Sequence, residues 1–295
     1  MLSICIPVYN YDVGCLIKGL HLQATKAGYP FEIILMDDAS DEYYRKLNKA
    51  IDLEYVRYIQ LNDNIGRSKI RNHLAEEAKF PYLLFMDCDS AVSSELYIEN
   101  YARFFGSQTV CCGGLIYEDK KPSDSTYLRW KYGKKRESVS VSERSKNPNN
   151  SFKTINFLIH KSIFEKVKFN EDLTGYGHED TLFGLELLKQ EITIEHIDNP
   201  LIHLGLESAS DFLEKTECSV KNLYKVEKLL REKYPEYINH SRLMQMKLFL
   251  QKYHLSGFVS NLFSILRRLL KNNLLSKNPS LIVFDFYRLG LLCRL

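Results

Sequence analysis

Short apolar runs alternate with helix-period segments through the first half of this 295-residue chain, and that alternation restricts it to a mostly parallel sheet flanked by helices, an α/β class. Apolar runs at 2–8, 31–36, 55–61, 81–86 and 108–117 predict strands, and helical patterns fall at 12–27, 41–51, 66–79 and 93–105. Ile33, Ile34, Leu35 and Met36 are apolar without alternation, as in a strand covered on both faces. The rhythm breaks over 118–150, which opens charged and ends in a polar stretch, 138–150, that reads as a mobile loop. Order returns with a strand at 152–160, a helix at 161–167, a glycine turn at 175–177, a helix at 179–190 and strands at 192–197 and 200–204. Helices are expected at 209–233, 240–254, 257–272 and 280–294, so the α/β region spans 1–205 and a helical C-terminal extension 206–295.

Composition narrows the function. Hydrophobic residues at 45% and charged residues at 26% describe a folded chain with a proper core. A net charge of +3 is too small to argue for nucleic acid. The seven cysteines show neither paired nor metal-ligand spacing, which suggests reduced thiols in a cytoplasmic protein. A strand beginning at the first residues leaves no signal peptide to expect, and there is no apolar run of spanning length.

The chemistry sits at the predicted strand ends. The run Phe80 to Met86 stops abruptly in Asp87, Cys88 and Asp89. Two carboxylates at the carboxyl edge of an open sheet repel each other unless a cation lies between them, and hard cations such as Mg²⁺ or Mn²⁺ share carboxylates with substrate phosphates. An Asx turn leading into the next helix is the plainer reading. The first strand ends in Pro7, Val8, Tyr9 and Asn10, with neither a dinucleotide nor a phosphate-loop glycine pattern. The second ends in Asp37 and Asp38, placed for a ribose or base contact, while Ser40 suits a helix cap. After the third come Gly66, Arg67, Ser68, Lys69 and Arg71, where cations at a helix start oppose its dipole and suggest a phosphate nearby. Exposed surface charge is the alternative there.

In this order, Pro7-Val8-Tyr9-Asn10, Asp37-Asp38-Ala39-Ser40, Asn64-Ile65-Gly66 with Arg71-Asn72 beyond it, and Asp87-Cys88-Asp89 resemble the nucleotide-sugar-binding half of family 2 glycosyltransferases. Thr154-Ile155-Asn156 resembles the family's acceptor-side strand, and Gly175-Tyr176-Gly177-His178-Glu179-Asp180 its Gly-aromatic-Gly-x-Glu-Asp segment. The resemblance covers about residues 1–205, with 1–117 as the donor half and 118–205 as the acceptor half. It implies a GT-A-type, Rossmann-like fold, a UDP- or GDP-type sugar donor, Mn²⁺ or Mg²⁺, and inversion at the anomeric carbon.

Carried onto this chain, the resemblance makes Pro7, Tyr9 and Asp38, with Asp37 beside them, base and ribose contacts. Gly66 and Cys88 join the donor site, and Arg71 or Arg67 is the donor-binding cation. Asp89 resembles the metal ligand and Asp87 a ribose or metal-water contact. His203 stands where a histidine ligand would be; His196, within an alternating strand, reads as structural. Asp180 resembles the catalytic base and Glu179 an acceptor binder, with Asn156, Tyr176 and Gly177 on the acceptor side. Inverting transfer needs one base and charge stabilisation on the departing diphosphate, whereas the usual hydrolase uses two carboxylates and no metal. A haloacid dehalogenase-type phosphotransferase would carry its acid pair on the first strand. A non-catalytic nucleotide-sugar binder would not need both Asp89 and Asp180.

Two segments stay open between readings. Residues 127–137 hold Trp130 and five basic residues, which suit a phosphate-bearing acceptor or an exposed charged helix. The basic, apolar tail beyond residue 240 suits the cytoplasmic face of a membrane beside a lipid-linked saccharide acceptor, or a helical subdomain packed on the catalytic core or on a second subunit of a homodimer.

Overall fold

The computed structural model describes residues 1–173, 175–233, 235 and 241–295. Thr174, next to the predicted glycine turn, and residue 240, where the helix 240–254 is expected to begin, lie outside the described residues. The chain divides into two compact units: Met1–Glu118, Glu137–Thr174 and Glu179–Gly205 form one, and Asp119–Arg136, Gly175–His178 and Leu206–Leu295 the other.

The first unit is a mixed sheet between helices. Its strands are β1 (Leu2–Val8), β2 (Phe31–Asp37), β3 (Val56–Gln60), β4 (Tyr82–Met86), β5 (Ser90–Val92), β6 (Val110–Cys112), β7 (Leu115–Ile116), β8 (Asn156–His160), β9 (Ile194–His196) and β10 (Leu201–His203). Seven of them take the order β3-β2-β1-β4-β8-β6-β9. All neighbours are parallel except that β8 runs antiparallel between β4 and β6. The chain moves outward from β1 to β3 and then returns to the other side of β1 as β4. That reversal is a topological switch point, where open α/β sheets bind ligands beyond the strand carboxyl ends. Asn10 and Asp87 to Asp89 emerge there.

Alternation along each strand builds two cores. Ile4, Ile6, Ile33, Leu35, Leu84 and Met86 pack with Leu16, Ile17 and Leu20 of the helix Gly14–Ala27. Cys5, Ile34, Met36, Leu83 and Phe85 pack on the other face with Ile70 and Leu74 of the helix Arg67–Glu77 and with Phe164 and Phe183. Covering both faces explains the unbroken apolarity of β2.

Three expectations need correction. The strand predicted over 108–117 is two strands, because Gly114 turns the chain at φ +81 and a side chain on Gly113 would meet the Asn199 carbonyl at 2.2 Å. Residues 90–92 of the segment before the expected helix 93–105 form β5, and the helix is only Tyr97–Ala102. The stretch 138–150 is not an open loop. Its short helix Val141–Arg144 buries Arg144, whose guanidinium donates to the carbonyls of Cys112, Gly113 and Ile197 and to His196 Nδ1. Burial holds the His196 imidazole below its ordinary value, and its Nε2 bonds the Pro148 carbonyl, so this histidine serves the interior.

The second unit is helical. Tyr127–Tyr132, Ala209–Lys233, Ser256–Leu274 and Leu281–Arg294 enclose Leu128, Phe212, Phe263, Phe284 and Tyr287, and Arg242–Lys252 packs on the last two of these helices. The last two helices cross so closely that a side chain on Gly290 would lie 2.4 Å from the Phe263 ring. Glu217 gathers Arg267 and Lys271 at 3.3 and 3.1 Å and accepts the Tyr287 hydroxyl. Among the described residues no helix is long and apolar enough to cross a membrane.

Candidate active site

Asp87 and Asp89 leave the carboxyl end of β4 in different company. Arg71, buried on the helix Arg67–Glu77, donates from Nη2 to Asp87 Oδ1 at 2.6 Å and from Nη1 to the Arg67 carbonyl at 3.0 Å. Asp89 meets His203 instead, because β5 and β10 pair with Ser90 opposite His203. The Leu204 amide donates to the Asp89 carbonyl at 2.8 Å, and His203 Nδ1 stands 3.6 Å from Asp89 Oδ1. Burial pushes the Asp89 carboxyl up, but the hydrogen bond and charge of His203 and the charge of Arg67 outweigh it and hold the group below the usual carboxylate range. The Tyr117 ring packs edge-on against His203.

Space for this carboxylate comes from Gly205, where a Cβ would lie 2.0 Å from Asp89 Oδ2. Beside the acids, Arg71 Nε and the hydroxyls of Ser68 and Ser90 are buried with no hydrogen-bond partner among the described residues. Such polar atoms are costly to bury unmatched and suit a polar ligand.

Asp89 and His203 therefore form a two-donor set, and no group of three or more His, Cys, Asp or Glu residues among those described could hold a metal. That set fits a hard cation that takes its remaining oxygens from a diphosphate. The third expected ligand, Asp87, is already paired with Arg71. Cys88, between the acids, has its thiol pushed up to about 12 by burial and by the neighbouring Asp89 and Asp87, so it is a protonated, apolar filler here.

The other expected donor residues divide. Tyr9 is 53% exposed at the end of β1, and Pro7 is half-buried just before it. Asp38 is buried, accepting from the Ile65 amide at 2.7 Å and the Gly66 amide at 3.1 Å, and so pins the loop that carries Arg67. Gly66 adopts φ +83 at that point. Asp37, expected beside Asp38 as a ligand contact, is fully buried; it accepts from the Ser40 amide and the Tyr58 hydroxyl. Its carboxylate braces the turn and is not presented to a ligand.

On the expected acceptor side, Glu179 and Asp180 open the helix Glu179–Lys189 but point to different partners. Glu179 pairs with Arg67 at 3.2 Å and Asp180 with Lys153 at 2.6 Å. Arg67 thereby ties Glu179 to the helix whose Arg71 holds Asp87. Asn156 is corrected from an acceptor contact to a core cross-link. Its Oδ1 accepts from the hydroxyls of Tyr97 and Tyr101, and its Nδ2 donates to the carbonyls of Gly114 and Asn199. All its hydrogen-bonding capacity is used internally.

Tyr176, Gly177 and Trp130 belong to the helical unit. The Tyr176 carbonyl accepts from Asn222, and a side chain on Gly177 would meet Ser219 Oγ at 2.6 Å. Trp130 stacks on Tyr127 with ring centroids 5.6 Å apart. Lys153, Gly205, Ser68 and Ser90 were not anticipated. Ser90 comes directly after the acid pair and so carried a signal, whereas Lys153 and Gly205 become meaningful only once distant strands meet.

Residues 3–172 match the family described as Glycosyl transferase family 2. A teichoic acid poly(glycerol phosphate) polymerase of Staphylococcus epidermidis is 27% identical over 197 residues, covering 64% of this chain and 26% of its own length. The chain thus spans about a quarter of that relative. A mannosyltransferase of Pyrobaculum calidifontis, solved with GDP-Man and Mn²⁺, superposes with a TM-score of 0.53 at 12% identity over 77% of this chain and 64% of its own. TarS 1–349 of S. aureus with UDP-GlcNAc superposes with a TM-score of 0.51 at 18% identity, over 98% of this chain and 90% of that one. These two likenesses concern the fold. The family match spans more than half of the chain and takes in β1 to β4, the strands that deliver Tyr9, Asp38, Asp87 and Asp89: this chain belongs to glycosyl transferase family 2.

Proposed function

We propose that the protein transfers a sugar, with inversion, from a nucleotide-sugar of the UDP type to a saccharide acceptor, free or lipid-linked, at a membrane surface. The observation that carries this reading is the meeting of Arg71–Asp87 with Asp89–His203 at the switch point of the sheet, beside buried donors with no hydrogen-bond partner among the described residues. The UDP-GlcNAc bound by TarS supports the donor class. The relatives described as a teichoic acid poly(glycerol phosphate) polymerase and as chondroitin synthases support a growing polymer as the acceptor.

In this reading Tyr9 offers a ring to the base, and Arg71 and Arg67 set positive charge beside the diphosphate. A divalent cation held by Asp89 and His203 would stabilise, as a Lewis acid, the charge left on the diphosphate. Asp180 accepts the proton of the acceptor hydroxyl while that oxygen bonds to the anomeric carbon. The bond from that carbon to the diphosphate breaks on the opposite face, and its electron pair leaves with the nucleotide. Asp180 is favoured over Glu179 because its side chain is 18% exposed against 7%, so it is the better placed to meet a substrate hydroxyl.

Nucleotide release from UDP-, GDP- and dTDP-sugars, with and without Mn²⁺, tests the donor class. Asp180→Asn should keep donor affinity and lose transfer by roughly 10²–10⁴-fold, the contribution of a positioned base. If that variant transfers at the normal rate, the base lies elsewhere and Glu179→Gln becomes the variant to measure.

A further inference from the structure

Between Ser241 and Phe284 the chain contains no acidic residue, while Arg242, Lys247, Lys252, Arg267, Arg268, Lys271 and Lys277 fall within it. The helix Ser256–Leu274 lies in this stretch and has two apolar faces. One is internal: Phe263 and Leu274 are fully buried against the last helix. The other runs through Leu255, Phe258, Leu262, Ile265 and Leu269, spaced by three and four residues so that they form one stripe. On it Phe258 is 66%, Ile265 77% and Leu269 65% exposed. At 1.5 Å per residue the stripe is roughly 20 Å long.

A bare stripe of this kind needs a covering, and charge says which. Arg267 and Lys271 turn inward to Glu217. Arg268, next in sequence, is exposed beside Ile265 and Leu269. The same unit opens a cleft of about 560 Å³ lined by Lys131, Lys135, Arg136, Pro279, Leu281 and Ile282. Lys131 gives one N–H to the Pro279 carbonyl and Arg136 pairs with Asp285, while Lys135 is exposed. Ile282, at its edge, is 80% exposed. Apolar side chains accompanied by the exposed cations Arg268 and Lys135 match the interface of an anionic bilayer, where acyl chains meet phosphate.

We infer that the stripe Phe258, Ile265 and Leu269 is a lipid-docking surface that lies in the interface of an anionic membrane, with Arg268 and the Lys135 cleft at the level of the phosphates. The inference rests on the proposed membrane location but not on sugar transfer, and its test uses no donor. The full chain should float with equimolar phosphatidylcholine–phosphatidylglycerol vesicles, bind pure phosphatidylcholine more weakly, and release partly in high salt, because only the charge component is screened. Ile265→Glu with Leu269→Glu should lower partitioning at least about tenfold at every salt concentration. Both residues are exposed, so circular dichroism and the thermal midpoint should stay unchanged. Arg268→Glu should weaken binding at low salt and flatten its salt dependence.

Failure of the full chain to float on anionic vesicles overturns the proposal, as does equal flotation of the double variant. So does light scattering that shows a dimer which the double variant converts to monomer, since the stripe would then be covered by a second copy. Loss of sugar transfer with flotation intact would count against the enzymatic reading alone.

Discussion

At Gly205 the absence of a side chain fixes where Asp89 can stand. A Cβ there would lie 2.0 Å from Asp89 Oδ2, so even alanine forces the carboxylate away from His203. Gly205→Ala should therefore weaken Mn²⁺-dependent donor binding by about 10–100-fold, as displaced supporting groups do at metal sites, with the thermal midpoint nearly unchanged. Titration calorimetry with and without the metal measures this. Asn156 and Asp37 teach the converse. Each is polar and sits in a motif that resembles a ligand site, yet each spends its hydrogen bonds inside the protein. Residue type alone does not separate a presented carboxylate from a bracing one, because only burial and partner geometry differ.

Among the elements, the helix Ala209–Lys233 depends on an inward-facing ion pair. Glu227 meets Lys247 of the helix Arg242–Lys252 at 2.6 Å, with side chains 11% and 7% exposed, and also Arg231. Burial raises the Glu227 carboxyl, but the hydrogen bonds and charges of Lys247 and Arg231 prevail and hold it below the ordinary glutamate value. A depressed folded value means that the stabilisation is complete above the unfolded value and is lost as pH falls through the folded one. Lys247→Ala removes one of the two cations that Glu227 meets, leaves Arg231 in place, and should cost about 1.5–3 kcal/mol at neutral pH, the range for a hydrogen bond to a charged group. The deficit relative to wild type should shrink as pH falls below the ordinary glutamate value. Denaturant unfolding at neutral and acidic pH checks both statements.

The strands β1, β2 and β4 were legible because covered parallel strands need unbroken apolar runs. The break between β6 and β7 was not, since it arises from a close approach of Gly113 to the Asn199 carbonyl, far along the chain. Nor was the helix Val141–Arg144, whose polar residues look unstructured until Arg144 is found to cap three carbonyls.

At the scale of the molecule, the α/β unit holds the acids, Arg71 and His203, while the helical unit holds Tyr176, Gly177 and Trp130. The strand-end acids could be read directly from the chain because a buried strand delivers the residues after its last apolar position to one edge. The pairings Arg67–Glu179 and Lys153–Asp180 could not, for they join segments far apart in sequence.

We propose that Asp89 anchors a cation against a nucleotide-sugar diphosphate. Calorimetric titration of a UDP-sugar into wild type and Asp89→Ala, each with Mn²⁺ and with EDTA, tests it most directly. Wild type should bind more tightly with Mn²⁺, and the variant should bind weakly and equally under both conditions, with transfer lost. An Asp89→Ala protein that keeps Mn²⁺-enhanced binding, or that transfers sugar near the wild-type rate in EDTA, would contradict the claim.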